Sequence, residues 1–267
     1  MFGETRASHY DVHFKLFGVP IRIHPRFWLI AVLFSPFLGM GSGAEDMRIV
    51  LFGLLAWVAA WLTIFVIHEM GHALVLQRGF GASPKILLYG FGVVTIHQPY
   101  YKRVPGSFGR ILISFAGPGV TLLAVGVILL LLYVAGLPIQ FGIDRFGPIP
   151  IPSIFPDFTP WDQWILENPR LQFPFCFVKV FLYSLIWMGI FWSFLNLLPI
   201  QPLDGGHMTR ELCRRIDSRR GIPNSLLISI FCAVILLIYS LKEGNTFAAI
   251  FFGFFAWGNY QELSRWR

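Results

Sequence analysis

Residues 49–76 run for 28 positions with Glu69 as their only formal charge. As a helix at about 1.5 Å per residue this stretch reaches about 42 Å, more than the roughly 30 Å of a bilayer's hydrocarbon core. Inside hydrocarbon a segment must satisfy its own backbone N–H and C=O groups, which leaves a helix as the conformation open to it. Other apolar runs mark five further spans, giving residues 27–40, 49–77, 111–135, 175–198, 225–241 and 246–260, the first and last of them short. The expected fold is therefore an all-α polytopic membrane protein with about six transmembrane helices. With 55% hydrophobic and 13% charged residues, little of the chain remains for an aqueous domain. Residues 1–267 are read as a single integral-membrane domain, with no PDZ or other soluble domain.

Charge sets the expected orientation. Sixteen of the 21 Lys and Arg residues fall in the N-terminal segment, residues 78–110, residues 210–220 and the C-terminal tail. By the positive-inside rule these are cytoplasmic, and so are both termini. The acidic residues Glu45, Asp46, Asp144, Asp157, Asp162, Glu167 and Glu243 occupy the opposite side. The net charge of +7 is then accounted for by topology and contact with anionic lipid, and nothing in the chain suggests nucleic-acid binding. The first twenty residues lack the apolar core of a cleaved signal peptide. Cys176, Cys213 and Cys232 are scattered, which points away from disulfides and thiolate metal sites.

The long apolar run contains His68-Glu69-Met70-Gly71-His72. Residues four apart share a helix face, so His68 and His72 can aim imidazole nitrogens at one metal while Glu69 reaches an activated water as a general base. From the chain's own His and Glu usage, about 0.005 chance matches to this pattern are expected. A polar patch between helices is the competing reading. Against it, three ionisable groups at membrane depth are costly without a compensating cation. Zinc fits, because it makes water nucleophilic near neutral pH.

A catalytic zinc takes three protein ligands and keeps one position open. Asp204, within Pro202-Leu203-Asp204-Gly205-Gly206 after the fourth span, is the best third ligand, although the same residues also suit a turn capped by Asp. Topology favours the ligand: His68 lies 19 residues, or about 28 Å, from the start of its span, and the fourth span also ends on the basic side. His207 is a weaker candidate, a ligand or partner of Asp204 if it does not face solvent. His9, His13, His24 and His97 are read as interfacial or hydrogen-bonded histidines.

Here the chain resembles the site-2 proteases, a family of intramembrane zinc metalloproteases. The resemblance rests on His68 to His72, on residues 196–206 matching an NxxPxxPLDGG pattern, and on Gly18-Val19-Pro20-Ile21-Arg22-Ile23-His24-Pro25 before the first span. It implies an endopeptidase that cleaves in or near a transmembrane helix of another membrane protein. It further implies Zn2+ held by His68, His72 and Asp204, Glu69 as general base and acid, and Asn196 close to bound substrate. One departure is Thr121, in the Ala116–Thr121 loop, where family members often have Asn. The implied setting is multi-pass in a prokaryotic cell (inner) membrane, with the bilayer and a transmembrane protein substrate as partners; because the chain leaves no room for an inserted sensing domain, regulation by a separate protein is expected.

A helical substrate must unwind locally to expose its scissile bond. Residues 84–96 alternate β-formers with glycines directly after the HExxH helix, so a small membrane-associated sheet is expected there, its edge available to an extended substrate; a loop that merely packs is the alternative. Residues 136–174, rich in proline and aromatics, are expected as an external loop, either a cap over the site or an aromatic belt at the interface. A metal transporter would carry polar groups through several spans, and a catalytically dead homologue would lack the base. Neither description matches these residues.

Overall fold

The structure, a computed structural model, describes residues 8–36, 47–89, 92–97, 101–146, 149–160, 162–163 and 172–266. Two strands, β1 (Val12–Leu16) and β2 (Val19–Ile23), lead into a short helix, α1 (Pro25–Leu33). They form a two-residue hairpin through Phe17 and Gly18, both at positive φ (49° and 81°), the backbone that a tight hairpin turn requires. His24 caps α1: its Nδ1 accepts the Arg26 N–H at 3.2 Å, and Pro25 occupies the first turn, where no donor is needed.

The long apolar run becomes α2 (Met47–Leu74), which ends in a widened turn at Val75–Gly79. The hairpin β3 (Pro84–Tyr89) and β4 (Gly92–His97) follows. These strands extend the N-terminal hairpin into a four-stranded sheet ordered β1-β2-β3-β4, antiparallel except where β2 and β3 run parallel. The sheet expected at residues 84–96 is thus larger than the sequence reading had it. Its inner face presents Val19, Ile21, Ile23, Ile86 and Leu88, which pack with Phe65, Met70 and Ala73 of α2, so the sheet sits directly against the HExxH turn.

Next comes α3 (Ser107–Val134), then a β-hairpin, β5 (Ile139–Phe146) and β6 (Ile149–Pro156), then α4 (Gln172–Asn196). Residues 136–174, expected as a loop, contain this hairpin. The prolines at 150, 152 and 156 alternate with period two, so all their N atoms face one side of β6, and a strand with a free edge tolerates that. The hairpin folds onto the N-terminal half of α4, where Phe155 stacks on Tyr183 at 4.4 Å and Lys179 pairs with Asp162 at 2.6 Å. That is the end of the bundle remote from the histidines.

The chain closes with an amphipathic helix, α5 (Asp204–Ile216), and the hairpin α6 (Gly221–Lys242) and α7 (Thr246–Ser264). Among the described residues four helices, Val50–Gly79, Ser107–Val134, Pro174–Asn196 and Gly221–Lys242, are long and apolar enough to cross a membrane. The other two expected spans fall short for different reasons. Nine residues carry α1 only about 14 Å, and residues 37–40 lie outside the described set. α7 is long enough, but it turns polar at Asn259, Gln261 and Glu262. The main core is built from α2, α3 and α4, with Trp57, Ile64, Val125, Leu185 and Ile186 buried together.

Candidate metal centre

Two close helix contacts place the site. A Cβ on Gly71 would lie 2.4 Å from the Ala116 carbonyl oxygen, and one on Gly117 would lie 2.2 Å from His72 Nε2 and 2.8 Å from His68 Nε2. At the HExxH turn α3 therefore lies backbone to backbone against α2 at Gly71, while Gly117 leaves room for the two imidazoles. Residues 116–121, inside the span expected over 111–135, are helical through Pro118. Small residues on either side of Pro118 let this stretch of α3 lie close against α2.

This approach orients both imidazoles. His72 Nδ1 is 2.6 Å from the Ile113 carbonyl of α3, which can only accept, so the ring proton sits on Nδ1 and Nε2 is left with its lone pair. His68 Nδ1 is 3.4 Å from the Thr121 hydroxyl, whose own proton goes to the Gly117 carbonyl at 2.9 Å, so this ring takes the same tautomer. Thr121, fully buried, thus touches a proposed ligand at the position where the sequence departs from its family's pattern. Its role was not visible from the sequence, because the contact joins helices 53 residues apart.

The third donor comes from the other end of the core. At the start of α5, Asp204 Oδ2 lies 3.1 Å from His68 Nε2 and 3.3 Å from His72 Nε2, and the two Nε2 atoms are 3.3 Å apart. With both ring protons on Nδ1, three acceptors face one another with no hydrogen to share, an arrangement that calls for a cation. Their near-equilateral triangle also has the right size. A tetrahedral zinc with bonds of about 2.0–2.1 Å has ligand-to-ligand edges of about 3.4 Å. The donor set and spacing therefore fit zinc.

Glu69 is buried, and its carboxylate offers an oxygen within 4.8 Å of the ligand atoms of His68 and His72. Trp192 brings its ring to 6.4 Å from His68 and 4.5 Å from Phe65, forming an apolar wall. Asn196 is buried at the end of α4, and its Nδ2 donates to the Trp192 carbonyl at 3.0 Å. The structure gathers His68, Glu69, His72 and Asp204, whereas the Asn196 amide bonds within its own helix. His207 is exposed.

The chain is similar to known proteins over most of its length. The model of peptidase family M50 matches residues 56–239. Over 250 residues, 93% of this chain, the sequence is 24% identical to a zinc metalloprotease of Methanocaldococcus jannaschii, and the match spans 59% of that relative's length. The fold is similar to that of a site-2 protease from Methanocaldococcus jannaschii, with a TM-score of 0.50 and 21% identity, covering 95% of each chain.

Proposed function

The chain belongs to peptidase family M50, and from that premise we propose that it is an intramembrane zinc endopeptidase that cuts a peptide bond in or near a transmembrane helix of a membrane-protein substrate. The observation that carries this reading is the triangle of acceptors from His68, His72 and Asp204 beside the buried Glu69. When bound, zinc supplies Lewis acidity that polarises the scissile carbonyl and brings a water's pKa towards 7. His68 and His72, held by Thr121 and Ile113, present Nε2 lone pairs, and Asp204 completes the ligand set. Glu69 takes the proton of the attacking water and returns it to the leaving amine. The buried surroundings strengthen these interactions by excluding bulk water.

The substrate's unwound segment needs partners for its exposed amides. The four-stranded sheet has two edge strands, β1 and β4, and β4 follows shortly after the HExxH helix. We propose that the substrate adds as a strand along β4 and that Asn196 lies beside it. The distribution of basic residues supports cytoplasmic termini and anionic lipid at the basic side; a prokaryotic cell membrane and regulation by a separate protein complete the proposal. Residues 1–267 are read as one protease domain, its core shared by α2, α3 and α4.

The test is Glu69→Gln in purified protein assayed on a membrane-protein substrate. Cleavage should disappear while zinc binding persists. Cleavage that survives in the variant would overturn the role of Glu69.

A further inference from the structure

α7 is apolar from Thr246 to Trp257 and then turns polar, and its polar end grips the segment that carries Asp204. Asn259, 4% exposed, donates both amide hydrogens: one to the Gln201 carbonyl at 2.7 Å and one to the Phe255 carbonyl at 2.8 Å. One turn further on, Glu262 pairs with Arg210 of α5. From α6, the fully buried Ser229 accepts the Gln201 N–H at 3.2 Å, and its own hydrogen lies between the carbonyls of Ser225 (3.0 Å) and Pro199 (3.3 Å).

Any one of these contacts could serve only to satisfy buried backbone. Together they close on residues 199–210, which flank Asp204 on both sides. The segment has no slack to absorb a shift. A Cβ on Gly205 would lie 2.2 Å from the Leu197 carbonyl oxygen, and one on Gly206 would lie 2.5 Å from the Gln201 nitrogen, so the turn packs backbone against backbone. A displacement at Gln201 is therefore passed to Asp204, and a ligand tolerates only about 0.2 Å of it.

We infer that Asn259 and Ser229 are positioning residues for Asp204, so that the terminal helix hairpin fixes the third zinc ligand. The metal centre then extends into α7, beyond the residues 56–239 that match the family model. The inference rests on the reading of Asp204 as a ligand.

Zinc affinity by chelator competition and the absorption spectrum of the cobalt-substituted protein test this, using the full chain in detergent. Asn259→Leu is expected to weaken zinc binding about 10–100-fold, as loss of an outer partner of a ligand does, and to change the cobalt spectrum. Ser229→Ala, a change small enough to leave the fold intact, should move both readouts in the same direction and decides the matter if Asn259→Leu does not fold. In an Asp204→Ala background neither change should weaken zinc binding further. Wild-type affinity and spectrum in folded Ser229→Ala and Asn259→Leu, with Asp204→Ala defective, would overturn the inference alone. Wild-type affinity in Asp204→Ala would overturn it together with its premise.

Discussion

The contact between α2 and α3 at Gly117 yields a prediction in which two effects have opposite signs. In an ordinary helix interior, Gly→Ala stabilises by about 1 kcal/mol. At Gly117 the added Cβ would sit 2.2 Å from His72 Nε2, 2.6 Å from His72 Cε1 and 2.8 Å from His68 Nε2, where ordinary contact begins near 3.4 Å. Relief requires a shift on the order of 1 Å, several times the roughly 0.2 Å that a zinc site tolerates. If α3 withdraws, it takes with it the Ile113 carbonyl and Thr121 hydroxyl that hold the rings; if the rings rotate, their lone pairs leave the metal. Zinc affinity in Gly117→Ala should fall at least about 100-fold, which corresponds to about 2.7 kcal/mol and outweighs the gain in helix propensity. Chelator competition in detergent measures the affinity, and cleavage of a membrane substrate should be lost with it. Gly126→Ala on the same helix is the control. Nothing lies within 4 Å of its new Cβ, so affinity and cleavage should stay at the wild-type level. Wild-type zinc affinity in Gly117→Ala would refute the packing argument.

Thr121→Val keeps the shape of the side chain but removes the acceptor for His68 Nδ1–H, so zinc affinity should drop about 10–100-fold in a protein that still folds; chelator competition reads this, and an unchanged affinity would leave His68 oriented by something else. Because the three facing acceptors repel one another without a cation, zinc should raise thermal stability, by about 2.7 kcal/mol at 100 times its dissociation constant. Thermal melts with and without chelator should show this shift in the wild type and lose most of it in Asp204→Ala. Zinc affinity should also weaken on acidification, because protons compete with the metal for imidazole nitrogens; an affinity flat from about pH 8 to about pH 5 would argue against histidine ligands.

Features carried by spacing along one element were legible in the sequence. The i, i+4 histidines, the spans of α2, α3, α4 and α6, and a sheet after the HExxH helix all follow from local pattern. The strands β1 and β2 were not anticipated, although Val19, Ile21 and Ile23 alternate inward, because five-residue strands gain their stability from a sheet completed 60 residues later. Prolines disguised β6 as a loop, since the period-two placement that makes them harmless carries meaning only once a partner strand is known. Glycines beside Pro118 fall within the expected span, and why they stand there becomes clear only from the neighbouring helix, which needs the space they leave. The apolar start of α7 suggested a span, while its polar end answers to groups on α5 and on the preceding turn. Asp204 could be placed near the histidines from topology, but its distances depend on those tertiary contacts.

The central claim is the ligand set, and X-ray absorption at the zinc edge of the purified protein tests it most directly. The predicted spectrum has only nitrogen and oxygen neighbours at about 2.0–2.1 Å, with the outer scattering of two imidazoles, and one light neighbour is lost in Asp204→Ala. A sulfur neighbour near 2.3 Å, a third imidazole, or a spectrum unchanged by Asp204→Ala would contradict a centre built from His68, His72 and Asp204.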